Sequence, residues 1–87
     1  GDKYEQLILC FRFEWEKETH MLLGKYYPKE ELFFDSTGLF RMRRNEDHER
    51  GTWDLFGPDE NNKLMKKHGN AVITNYLLVP DIDLELP

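Results

Sequence analysis

Five large apolar residues, Leu7, Leu9, Phe11, Phe13 and Trp15, occupy alternate positions near the start of the chain, with Ile8, Cys10, Arg12, Glu14 and Glu16 between them. A strand turns successive side chains to opposite faces, so this period of two predicts one stripe against a core and an increasingly charged stripe toward water. The pattern returns in Ile82, Leu84 and Leu86, set against Asp81, Asp83 and Glu85. The chain is therefore expected to open and close on sheet.

Between these ends the polarity changes mark further strands. Lys17 to His20 read as a turn or strand edge, and Met21 to Tyr27 as a strand stopped by Pro28. A first helical turn at Pro28-Lys29-Glu30-Glu31 competes with a strand at Leu32-Phe33-Phe34, and the strand carries more weight. Leu32-Phe33-Phe34, Asp35-Ser36-Thr37-Gly38 and Leu39 to Arg44 form strand, turn and strand, which predicts a β-hairpin. Its second arm places Phe40 and Met42 on one side, and Leu39, Arg41 and Arg43 on the other. Asn45 to Arg50 reads as an exposed loop, and Thr52 to Phe56 as a strand between Gly51 and Gly57-Pro58.

Residues 59–68 carry helix signals: Asp59 as a cap, Glu60 in the first turn, Lys66, Lys67 and His68 in the last, and Gly69 as a stop. One short helix is expected there. Only Leu64 and Met65 would give it an apolar stripe, so a strand ending in a turn at His68-Gly69-Asn70 is the alternative. Ala71 to Leu86 is expected to be strand on both sides of Pro80, at an edge or bent there. The fold class is mainly β, or α+β: a small antiparallel meander or partly open barrel forming one domain over residues 1–87.

At 87 residues a single core must suffice, and the 14% aromatic content makes it rich, because each buried aromatic ring removes roughly 150–250 Å² from water. The lone cysteine, Cys10, excludes an internal disulfide and a thiolate zinc site, which is compatible with a reducing intracellular compartment. No apolar stretch approaches the roughly 20 residues that span a bilayer, and no basic region leads an apolar signal core. A soluble domain is expected. The opening Gly1-Asp2, without Met, is what a piece of a longer protein would show.

The net charge of −5 is unevenly spread: residues 1–38 carry five basic and eight acidic groups, 39–69 seven and six, and 70–87 none and three. The basic groups concentrate in the middle, but the global balance argues against nucleic acid as the partner.

Phe34 to Phe40 with its Asp35-to-Gly38 turn, the polar loop, the Gly51-Thr52-Trp53-Asp54-Leu55 strand and the terminal stretch Leu78 to Leu86 together resemble the hairpin series of short lipocalin-like domains of the calycin group. The resemblance covers residues 32–86. It implies a small up-and-down barrel or half barrel and a small apolar ligand, in a cavity lined by Trp15, Phe40 and Trp53. The chain departs from that family in its longer hairpin turn and in being too short for eight long strands.

Catalytic chemistry finds no motif. His20, His48 and His68 lie too far apart for a local chelate with Cys10, so no metal and no cofactor is expected. Glu14, Glu16, Asp47, Glu49, Asp81 and Asp83 fall on solvent-facing positions rather than in the paired, unequal environments that acid–base catalysis needs. The domain is therefore read as non-enzymatic.

The arginines Arg41, Arg43, Arg44 and Arg50 carry the strongest surface signal, because guanidinium forks match carboxylate and phosphate oxygens in pairs. Cross-strand pairing of Arg41 and Arg43 with Glu14 and Glu16 is the competing explanation. Phe33 and Leu39 are expected near the arginine face, and Phe33, Tyr27, Phe56 and Leu77 fall on the parity opposite to the core. The sequence thus points to an interaction domain whose partner is another protein, or a second copy of itself, bound at an exposed sheet face or edge. Apolar ligand binding is the alternative, followed by RNA or another anionic partner at the basic hairpin.

Overall fold

The computed structural model describes residues 3–44, 51–61 and 64–80. Its strands are β1 (Glu5–Phe13), β2 (His20–Tyr27), β3 (Leu32–Asp35), β4 (Arg41–Arg44), β5 (Trp53–Pro58) and β6 (Met65–Leu78). Each pairs antiparallel with the next, and β6 returns to β1, so the sheet closes into a six-stranded up-and-down barrel. The meander is as expected; the barrel is closed rather than partly open. Closure also leaves no free edge among the described strands at which a partner could add, because each of β1 to β6 has a neighbour on both sides.

The alternation of β1 is realised: Leu7 and Phe11 are buried, and Leu9 and Phe13 pack against them. Phe33, Met42, Leu55 and Ala71 complete the core. Barrel diameter grows with strand number, and even eight strands leave an interior that side chains can fill. Six strands leave less, so the centre is filled, with Phe33 at 1% and Met42 at 0% exposure, and two cavities lined by inner-face residues open toward the ends.

No helix forms among the described residues of 59–68: residues 60–61 lie in a turn, and β6 begins at Met65. The Asp59 carboxylate accepts the Asn61 amide at 3.0 Å, an Asx turn, and the Asp59 amide bonds to the Leu64 carbonyl at 2.8 Å. Aspartate caps helices and turns through the same side-chain acceptor, so the signal was real but did not distinguish them. Tertiary pairing decided the outcome, since Met65, Lys66 and Lys67 extend the ladder with Pro58, Gly57 and Phe56. The other possible helical turn, at Pro28, is a tight turn in which the Glu31 amide donates to the Pro28 carbonyl at 3.3 Å. The strand expected beyond Pro80 lies outside the described residues.

The β3–β4 hairpin is held from inside by Asp35. Its carboxylate accepts the Thr37 hydroxyl at 2.6 Å, the Thr37 amide at 3.3 Å and the Phe40 amide at 2.8 Å, and Gly38 supplies the positive φ of 77° that the turn requires. Burial pushes the Asp35 carboxyl up, but the hydrogen bonds from Thr37, Phe40 and Leu39 together outweigh it and hold it below its usual value. A depressed folded value means that the stabilisation is present above the unfolded carboxyl range near pH 4 and fades as pH falls through the folded value. Asp35→Ala is therefore expected to lower the unfolding free energy by about 1.5–3 kcal/mol at pH 7, the range for hydrogen bonds to a charged group. Denaturation midpoints measured from pH 7 to pH 2 should show the difference from wild type shrinking with acid; a constant difference would contradict this role.

Candidate functional site at the mouths of the barrel

Residues paired across the sheet share a face, so the registers sort inner from outer side chains. One inner row runs Glu5, Tyr26, Phe33, Met42, Leu55 and Gly69 across β1 to β6 through successive pairings. It begins at one mouth and descends into the core, leaving Glu5 and Tyr26 above Phe33.

At this first mouth a cavity of about 220 Å³ is lined by Glu5, Leu7, Leu9, Tyr26, Phe33, Trp53, Ile73 and Tyr76. The Tyr26 and Trp53 rings meet edge to face, with centroids 5.9 Å apart. Register places Tyr76 opposite Leu9, hence on the inner side, although at the rim it is largely exposed. Arg44 and Glu31 approach to 3.7 Å near the same mouth. Glu31 is the only non-glycine residue with positive φ, 53°, among the described residues. Burial raises the Tyr26 phenol above its ordinary value; Glu31 adds to this, Arg44 opposes it, and Glu5 adds a smaller share. The phenol is thus a neutral group in a mostly apolar chamber whose one carboxylate is Glu5.

The opposite mouth is wider and shallower, a concavity of about 340 Å³ lined by Phe11, Phe13, His20, Met21, Leu22, Phe40, Leu55 and His68. His20 lies against the Phe11 and Phe13 rings, at 5.4 and 5.6 Å between centroids, and hydrogen-bonds Glu16. His68 contacts the Pro58 carbonyl at 3.1 Å. Glu16, Glu18 and His20 bring one ligand atom each within 4.8 Å of one another, a grouping that sequence spacing did not suggest. It sits on the β1–β2 turn, and surface carboxylates beside a histidine commonly gather without an ion.

The three residues expected to line one cavity are separated. Trp53 lines the first mouth and Phe40 the second. Trp15 lines neither: β1 ends at Phe13, the chain turns with the Glu16 amide on the Phe13 carbonyl, and Trp15 is 67% exposed, stacked on Phe13 at 4.5 Å. The strand ends two residues before the apolar alternation does, because a turn residue stacked on a strand aromatic continues the apolar pattern without continuing the strand.

The arginine face is also rearranged. Arg41 and Arg43 point outward as expected, but β4 lies between β3 and β5, so neither faces Glu14 or Glu16. Phe33 does not join them; it is buried opposite Tyr26 and Met42, and Phe34 takes the outer position. Leu39 is exposed in the turn, and Arg50 and His48 lie outside the described residues. The outer row that results runs Lys25, Phe34, Arg41, Phe56 and Lys67, one residue from each of five consecutive strands. Arg43 lies 5.7 Å over the Phe56 ring, and Lys67 pairs with the buried Asp54 at 3.0 Å. Tyr27 and Phe56, of the residues on the outer parity, are half-buried, while Leu77 is exposed on a second outer row with Ile8 and Leu23.

Comparison of the chain with protein-family models, with curated proteins and with solved structures yields no match. The functional reading therefore rests on the geometry of this chain alone.

Proposed function

We propose that the domain binds a small, largely apolar molecule in the mouth formed by Leu7, Leu9, Tyr26, Phe33, Trp53, Ile73 and Tyr76. The single observation that carries this reading is an apolar chamber of about 220 Å³ opening from a solid barrel core. A dry cavity of about 150 Å³ with aliphatic and aromatic walls accepts benzene, so this one has room for a single ring with a short substituent. Lipocalin-like ligand binding, implied by the resemblance of residues 32–86, would use this mouth, with Trp53 as its surviving residue.

The chain has two tryptophans, and only Trp53 lines the chamber, so Trp15→Phe leaves one reporter. Bromobenzene is expected to quench Trp53 in that variant along a saturating curve, and Ile73→Trp, which fills the chamber, should abolish a saturable shift of the bromobenzene signal measured by NMR. Quenching that rises linearly with concentration, as random collision does, would remove the reading.

Partner-protein binding has a specific observation in its favour, the outer row Lys25, Phe34, Arg41, Phe56 and Lys67. Arg41 and Arg43 carry no ion pair among the described residues, and with Leu32 and Phe56 they line a groove of about 360 Å³. An acidic protein segment would find guanidinium forks set between aromatic rings there. Arg41→Glu is expected to reduce capture of an acidic peptide at least five-fold in a pull-down at low salt; unchanged capture would reject this surface.

A further inference from the structure

We infer that the chamber at the first mouth selects a small organic cation, an aryl- or alkylammonium, over a neutral molecule of the same shape. This rests on the ligand-binding reading above and names the chemistry of its occupant.

Four of the eight lining residues are aromatic: Tyr26, Phe33, Trp53 and Tyr76. The face of an aromatic ring is the negative end of its quadrupole, so walls of this kind attract a cation with its hydration shell removed, most strongly at tryptophan. The fifth relevant group is Glu5, the only ionisable carboxylate or base among the lining residues. It stands opposite Tyr26 on the inner face and takes part in no ion pair among the described residues. The neighbouring charges do not cancel it, because Arg44 is matched by Glu31 at 3.7 Å. Among the described residues lining the chamber, Glu5 therefore supplies the one formal charge, beside four aromatic rings. An ammonium group lodged between Glu5 and the rings would gain both attractions while its hydrocarbon part fills the space beside Leu7, Leu9 and Ile73. A carboxylate or phosphate ligand would meet repulsion from the same groups.

The Glu31 backbone supports the assignment. A left-handed conformation at a residue with a side chain costs about 1–2 kcal/mol, and here the residue that adopts it places its carboxylate 3.7 Å from Arg44. Without that pairing, Arg44 would oppose a cationic guest.

The test uses a pair of equal shape, benzyltrimethylammonium and neopentylbenzene, titrated into the Trp15→Phe variant while the Trp53 indole N–H resonance is followed. The cation is expected to bind about ten-fold more tightly than the hydrocarbon, in line with desolvated cation–ring contact. Glu5→Gln, at an exposed position where folding should persist, is expected to weaken the cation about five-fold and leave the hydrocarbon unchanged. Equal affinity for both compounds, or a cation affinity indifferent to Glu5→Gln, overturns the cation preference and leaves the pocket standing. Failure of both compounds to shift the indole resonance overturns the pocket and the preference together.

Discussion

Phe33→Ala should lower the unfolding free energy by about 3–5 kcal/mol, the range for removing a fully buried aromatic ring from a core that cannot collapse around the gap. Phe33 is 1% exposed and lies between Tyr26 on β2 and Met42 on β4, at the level where the solid centre of the barrel gives way to the chamber. Relaxation is limited because every neighbour belongs to a strand locked on both sides. Urea denaturation at pH 7 would measure the loss, and a change under 1 kcal/mol would show that the ring lies outside the core. In a domain of this size, total stability is on the order of 5–10 kcal/mol, so the variant would sit close to its unfolding limit at room temperature. The same substitution deepens the chamber floor, so any variant that remains folded should accept a bulkier guest than bromobenzene.

Gly24→Ala is the second large effect, and it acts through the backbone. A Cβ at this position would lie 2.2 Å from the Phe34 carbonyl oxygen and 2.7 Å from both the Asp35 Cα and the Phe33 Cζ. Two of those atoms are main chain of β3, which cannot move without breaking its ladder with β2 and β4. Overpacking of this kind costs about 1–3 kcal/mol, and contact with backbone places the expected loss near 3 kcal/mol. Thermal unfolding followed by far-ultraviolet circular dichroism would register it as a drop in midpoint of at least 10 °C, taking about 4–8 °C per kcal/mol for a chain of this length. An unchanged midpoint would mean that β2 and β3 do not approach as closely as their register implies. Gly38→Ala is a useful contrast, since a Cβ there meets nothing within 4 Å and only the φ of 77° is unfavourable.

Much of the strand framework was legible. The β1 stripe, the stop at Pro28, the Asp35-to-Gly38 turn and the strand after Gly51 each depend on neighbours within a few residues, through side-chain alternation, the fixed φ of proline or the short reach of an aspartate carboxylate. Arg41 and Arg43 were placed outward for the same local reason. Phe33 was misplaced because a run of three apolar residues, Leu32-Phe33-Phe34, has no polar partner to set its parity. Its direction follows from pairing with Met42 across the hairpin, which depends on how many residues the turn consumes. The chamber was only half legible. Trp53 is legible as a strand aromatic, whereas Glu5 and Tyr26 come together through the register of the β1–β2 hairpin, and Ile73 and Tyr76 join them only when β6 closes onto β1. The bulge between Cys10 and Phe11, which leaves Thr74 unpaired, brings Tyr76 into line with Leu9, and no residue type announces it.

By its own pattern the amino-acid order determined that this chain forms short antiparallel strands, where several of them turn, and which side of the clearest ones is apolar, since all of these are properties of adjacent residues. Closure of β6 onto β1, the choice of strand over helix after Asp59, and the gathering of one carboxylate and four aromatic rings at a single mouth were decided only in three dimensions. Their free energy comes from contacts between residues tens of positions apart, and such contacts leave no period along the chain.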